Sequence, residues 1–205
     1  TQKILERPRL LARIRAAIGD PQLAHLSVFN STPLERTLAV QLGIPLYGCD
    51  ARLLEWGGKS GSRRVFRETG IDLPDGVEDL RDVGDLTAAL AALKARQPSL
   101  ARAVVKLNQG FSGEGNAVFS YAGCPDEHTE RWIAGHLPLN LAMEARDLGW
   151  ERYSAKLQEQ GGIVEEWLGR EGVRSPSVQM RITPLGDLET ISTHDQILGG
   201  PSGQI

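Results

Sequence analysis

AVVKLNQGFSGEGNAVF, residues 103–119, is two short apolar runs around a polar, glycine-rich loop. The first run, 103–105, is closed by Lys106, and the second covers 117–119. Short β-rich runs bounded by Gly and Asn predict strand–loop–strand. A hairpin loop of this length is uncommon unless it serves a function. Gly110, Gly113 and Gly115 let the backbone turn freely and approach a ligand closely. Exposed N–H groups in such a loop suit phosphate, and a lysine adds a flexible point charge. From these residues alone, nucleotide binding and a glycine-rich mobile hairpin both stand.

The common phosphate motifs do not fit. The three loop glycines are spaced G-x-x-G-x-G, the reverse of the dinucleotide fingerprint, and they lead into a strand instead of a helix. Gly58-Lys59-Ser60 resembles the end of a Walker A loop, but Leu53 stands where its first glycine is required.

Composition sets the frame around this stretch. The 205 residues, 40% hydrophobic and 24% charged, suit one large soluble domain or two small ones. A net charge of −3 with 5% aromatics supplies neither the basic surface nor the stacking platform of a nucleic-acid binder. No apolar run reaches membrane-span length and no signal peptide opens the chain, so no membrane partner is expected. Cys49 and Cys124 form no CxxC pair, which predicts a reducing, cytoplasmic setting. Thr1 and the Gly/Pro cluster before Ile205 give both ends the look of cuts through a longer protein.

Taken in order, residues 1–19 read as helix, with Leu10, Leu11, Ile14 and Ile18 on one face and Pro8 suited to a first turn. Its arginines form either an anion patch or a solvated face. A strand at 26–29, a helix from Pro33 to Leu42 stopped by Gly43, and a strand at 44–47 predict a parallel βαβ unit. Residues 50–56 read as a short helix, and 57–64 open another through Glu68. Lys59 among three glycines at that helix start fits an anion site or a capped surface helix. Residues 70–76 read as turn, with Asp85 capping a helix over 86–96. Helices are expected at 125–137, 139–145 and 151–160, and a strand at 163–168, IVEEWL. Glu165 and Glu166 must point to opposite sides of that strand, which excludes a two-carboxylate acid–base pair. Strands at 177–183 and 188–192 pair across a turn at 184–187. Ser192, His194 and Asp195 are the residue types of a hydrolase triad, but no G-x-S-x-G elbow is present.

Together, GGKSGSR at 57–63, VVKLNQGFSGEGN at 104–116, GIVEEWLGRE at 162–171, SPSVQMRITPLG at 175–186 and STHDQILGGPSGQ at 192–204 resemble the ATP-grasp superfamily, in particular the pheganomycin-type peptide ligases. The resemblance implies an α/β chain of α+β lobes holding ATP between them. It divides the chain into a preceding βαβ segment at 1–50, a helical connection at 51–103, a first lobe at 104–168 and an incomplete second lobe at 169–205. Lys59 and Lys106 match the family's phosphate lysines. Gln109, Gly110, Ser112, Gly113 and Gly115 match its flexible lid. Glu165, Glu166, Trp167 and Leu168 match the hinge at the adenine edge, and Glu171 the acidic residue at the ribose. Arg181, His194, Asp195 and Gln196 fall where the second lobe faces substrate, the first three being candidates for the catalytic groups.

The implied cofactors are ATP and Mg²⁺, and the implied partners are small-molecule carboxylate and amine or peptide substrates. The family's metal-binding Glu and Asn or Asp are expected after Ile205, so no metal ligand is assigned here and residues 1–205 alone are expected to be inactive. The implied chemistry is amide bond formation through an acyl phosphate. A nucleotide-binding regulatory or scaffold module, or a small-molecule kinase on the same grasp, is the alternative.

Overall fold

In the computed structural model, described at every residue except Phe111, Ser112, Arg146, 170–173, Leu198 and 200–205, residues 103–107 and 116–119 lie in neighbouring strands of a five-stranded antiparallel sheet. β4 (Arg102–Leu107) and β5 (Asn116–Ser120) pair with Val104 opposite Val118 and Lys106 opposite Asn116. β7 (Gly162–Glu166) lies on the other side of β4, with β3 (Gly76–Leu80) beyond it, and β6 (Leu141–Met143) lies beyond β5. Strand order is therefore β3-β7-β4-β5-β6, and every pairing is antiparallel.

Alternation along the strands decides what each face does. Ala103, Val105 and Leu107 of β4, Ala117 and Phe119 of β5 and Val164 of β7 enter one core. It is completed by Leu86, Leu90 and Leu93 of α5 (Val83–Arg96), Ile133 and Leu137 of α6 (Thr129–Asn140), and Tyr153 and Leu157 of α7 (Trp150–Gln160). Burying each of the three α5 leucines contributes about 1.5–3 kcal/mol. With the helices on that side, Val104, Lys106, Ile163 and Glu165 are left to the opposite face of the sheet.

The chain divides into two compact units, Thr1–Ser62 and Arg63–Ile205, with the division inside α4 (Lys59–Thr69). The first unit carries α1 (Gln2–Leu5), α2 (Pro8–Ala17), β1 (Leu26–Ser27), α3 (Pro33–Leu42) and β2 (Leu46–Tyr47). β1 and β2 pair in parallel around α3, as the βαβ pattern predicts. α3 opens with a capping box between Thr32 and Glu35 and closes on Gly43 at φ 73°. Hydrogen bonds from the Thr1 and Thr32 hydroxyls hold the Glu35 carboxyl down at about 2. In the second unit, β8 (Ser175–Ile182) and β9 (Leu188–Gln196) form a separate two-stranded hairpin.

Several local expectations are corrected. Residues 1–19 are two helices, broken ahead of Pro8. Residues 139–145 are not a helix. α6 ends at Asn140, two residues past Pro138, and Leu141–Met143 pair with Phe119, Val118 and Ala117 as strand. The open edge of β5 overrides the helix preference of Leu, Ala and Met. Gly76 ends no turn but begins β3, whose Glu-Asp composition and irregular register, with Asp79 at φ 63°, hide it from propensity. The cap of α5 is Asp82, whose Oδ1 accepts from Asp85 N at 2.9 Å, while Asp85 Oδ2 accepts from Arg81 N at 2.8 Å.

Candidate functional site

β4 and β7 place Val104 opposite Glu165 and Lys106 opposite Ile163, so Lys106 and Glu165 are diagonal neighbours on the face away from the helical core. Lys106 Nζ donates to Glu165 Oε2 at 2.6 Å. The other carboxylate oxygen, Oε1, accepts from Arg63 Nη1 at 2.6 Å. Arg63 also donates to Pro74 O at 2.9 Å and, through Nε, to Glu78 Oε2 at 3.1 Å. Arg67, one turn along α4, pairs with the remaining Glu78 oxygen. Burial works to raise the Glu78 carboxyl, but hydrogen bonds from Arg67 and Arg63 prevail and hold it below its ordinary value. Arg63 and Glu165 are 4% and 6% exposed, whereas a quarter of the Lys106 side chain meets solvent.

Glu166 points the other way, as consecutive strand residues must. Its carboxylate accepts from Asp75 N at 2.9 Å and Gln97 Nε2 at 3.1 Å. Asp75 in turn is held by Arg96 at 2.8 and 3.0 Å, and this pairing keeps its carboxyl below the ordinary 3.8. Beyond β7, Trp167 N donates to Arg102 O at 3.4 Å, and the Arg102 guanidinium lies 5.9 Å from the Trp167 ring centre. Gln97, Arg102, Glu166, Trp167 and Leu168 line an open cleft of ≈ 430 Å³. A Cβ at Gly169 would fall 2.1 Å from Trp167 Nε1, so any larger residue there displaces the indole.

The glycine-rich loop is pinned at its base. Asn108 N donates to Gly161 O, Asn108 Nδ2 to Gln160 O and Gln109 N to Gln160 Oε1, each at 3.0 Å. The buried Tyr153 hydroxyl donates to Gly115 O at 3.2 Å and Val105 O at 3.4 Å. Gly110 and Gly115 face each other so closely that a Cβ on either would stand 3.1 Å from backbone of the other. Gly113 sits at φ 77°, a conformation costly for any residue with a Cβ. The three glycines thus answer two structural demands, a mutual close approach at Gly110 and Gly115 and a left-handed backbone at Gly113.

The structure brings Lys106, Glu165 and the loop base into one region of β4 and β7, with Glu166, Trp167 and Leu168 at the outgoing end of β7. It does not bring Arg181, His194 and Asp195 together. On the hairpin, Arg181 Nε pairs with Glu189 at 2.6 Å, His194 Nε2 meets Ser192 Oγ at 2.9 Å, and Asp195 pairs with Arg174. His194 and Asp195 are consecutive on β9 and face opposite ways. Gln196 Oε1 accepts from Ser175 Oγ at 2.8 Å. Lys59 is the first residue of α4. Ser112 and Glu171 lie outside the described residues. Among the described residues no group of three or more His, Cys, Asp or Glu side chains is placed to hold a metal ion. Arg63 escapes sequence reasoning although it ends the GGKSGSR segment. The available signal is its four-residue spacing from Arg67 on a helix.

With this geometry in hand, the solved structure of D-alanyl-alanine synthetase A from Vibrio cholerae superposes with a TM-score of 0.51 over 82% of this chain and 42% of that one, at 13% identity. A family model described as IQCH-like, ATP-grasp matches residues 53–125. The chain resembles the ATP-grasp ligases. It is 28% identical to L-propargylglycine–L-glutamate ligase of Streptantibioticus cattleyicolor, over 96% of this chain and 40% of that protein. It is 26% identical to IQ motif-containing protein H of Danio rerio, over 96% of this chain and 21% of that protein. The chain therefore spans less than half the length of the curated relatives it matches. No helix among the described residues is long and apolar enough to cross a membrane.

Proposed function

We propose that this chain is the ATP-binding part of an ATP-dependent carboxylate–amine ligase that joins its substrates through an acyl phosphate. The observation that carries the reading is the Lys106–Glu165 pair, set near the base of a glycine-pinched loop on the sheet face opposite α5, α6 and α7. In this reading residues 104–168 are the first ATP-grasp lobe and 169–205 the start of the second. Lys106 supplies charge to phosphate, and the loop from Gln109 to Gly115 closes over the phosphate chain with its backbone N–H groups. Glu165 and the main chain of Trp167 and Leu168 meet the adenine edge. Triphosphate chemistry needs positioning and charge neutralisation more than covalent participation, and a lysine with a loop of N–H donors contributes both. The relative that joins L-propargylglycine to L-glutamate by its name supports small carboxylate and amine substrates.

The test is carried out on the full-length protein. Lys106→Ala removes a charge-assisted contact worth ~1.5–3 kcal/mol, and a fluorescent ATP analogue is expected to bind correspondingly more weakly at fixed salt. Unchanged affinity removes Lys106 from the site. Phosphate release that depends on both an amine and a carboxylate establishes ligation. The similarity to IQ motif-containing protein H and the IQCH-like family model favour a second reading, a nucleotide-binding module without turnover. That reading predicts ATP binding with no substrate-dependent phosphate release.

A further inference from the structure

Glu165 is a buried carboxylate with two cations, and the two are held very differently. Arg63 is 4% exposed and donates to acceptors on three separate segments, Pro74, Glu78 and Glu165. Lys106 has a flexible stem, a side chain one quarter exposed, and Glu165 as its hydrogen-bond partner among the described residues. A buried carboxylate stripped of its counter-charge is strongly destabilising. If Lys106 were the sole partner of Glu165, moving it to a phosphate would strip that carboxylate. With Arg63 locked on Oε1, Lys106 leaves Oε2 while Glu165 stays paired.

We propose that Arg63 is the standing counter-ion of Glu165, a positioning residue that frees Lys106 to exchange the carboxylate for a nucleotide phosphate. The inference rests on the nucleotide-site reading above. It gives Arg63, which lies outside the nucleotide contacts proposed above, a role in nucleotide affinity exerted through the charge of Glu165. It also explains why Arg63 is tied from behind: Glu78, shared with Arg67, keeps the guanidinium in place when Lys106 departs.

The test is a double-mutant cycle read by titration of the full-length protein with a fluorescent ATP analogue. Arg63→Met is expected to weaken binding at least ~10-fold when Glu165 is present, and less than ~2-fold in the Glu165→Gln background, where no buried charge has to be kept paired. Arg63→Lys, which keeps the charge, is expected to restore most of the affinity. A purely structural role would cost the same in both backgrounds, and that result overturns the proposal. Because Arg63→Met removes a buried ion-paired group on which folding also depends, NMR of the unsubstituted protein gives an independent measurement. On addition of the ATP analogue, the Lys106 side-chain resonance is expected to shift while the Arg63 Nε–H resonance stays in place. An Arg63 signal that moves while that of Lys106 does not overturns the counter-ion role. Failure of the unsubstituted protein to bind the analogue at all instead overturns the nucleotide reading, and this inference with it. Binding with equal losses in the two backgrounds overturns this inference alone.

Discussion

Two ion pairs in the second unit have the same length and opposite meaning. Lys106–Glu165, on the five-stranded sheet, and Arg181–Glu189, on the β8–β9 hairpin, both close at 2.6 Å. The hairpin pair is half in solvent, with side chains 50% and 43% exposed, whereas the Glu165 side chain is 9% exposed and carries a second cation on its other oxygen. Distance alone ranks the pairs as equals. Desolvation separates them: exposed pairs contribute ~0–1 kcal/mol, whereas breaking a buried pair by removing one partner costs ~3–5 kcal/mol. The lesson is that a charge pair weighs on stability here where the sheet takes it out of water.

The largest effect that would break this comparison is at Glu165. Glu165→Ala leaves Arg63 and Lys106 facing an empty place, and urea denaturation is expected to show a loss of about 3–5 kcal/mol. A loss below ~1 kcal/mol would place Glu165 with the surface pairs.

Next in size is a contrast between two left-handed glycines, Gly113 in the loop at φ 77° and Gly186 in the hairpin turn at φ 91°. Valine strains the backbone at both, by roughly 1–2 kcal/mol. Gly113→Val is expected to depress substrate-dependent phosphate release beyond what its stability loss explains, and Gly186→Val to leave affinity for an ATP analogue unchanged. Equal catalytic effects would remove the loop from the site.

A third prediction concerns the Arg96–Asp75 pair, which is intermediate in exposure at 44% and 34%. Hydrogen bonding from Arg96 lowers the Asp75 carboxyl in the folded protein. A lowered folded-state value means stability that is present above the ordinary 3.8 and is lost as pH falls through the lowered one. The difference in melting temperature between the wild type and Arg96→Ala is therefore expected to be constant near neutrality and to shrink in acid below the ordinary carboxylate range. A difference independent of pH down to ~2 would show that the pair does not carry it.

The smallest expected effect sharpens the contrast. Glu189→Ala should change unfolding free energy by no more than ~1 kcal/mol and fall further with added salt.

The elements legible in the sequence are those whose cause is local. The Thr32–Glu35 cap, Pro33 and Gly43 bracket α3 within a dozen residues, and the helix runs from Pro33 to Leu42 as read. Lys106, closing an apolar run before Gly110, Gly113 and Gly115, announces a strand and loop by composition alone. The period of two along IVEEWL sets Glu165 and Glu166 on opposite faces before any partner is known, and their separate partners, Arg63 with Lys106 and Asp75 with Gln97, follow that division.

The two edge strands were not legible for a physical reason. GVEDL at 76–80 and LAM at 141–143 have weak strand preference and become strands because β7 and β5 offer them unpaired backbone. The same holds at the candidate site. Arg63 and Glu165 are 102 residues apart, and their contact exists because β7 inserts between β3 and β4 and α4 carries Arg63 to that carboxylate. By itself the sequence determined which residues are charged, which glycines free the backbone and which way each strand residue points, since these follow from covalent geometry and short-range periodicity. Only the tertiary structure decided which charges lose water and which partner each keeps, because burial and long-range pairing depend on strand order, which no local pattern encodes.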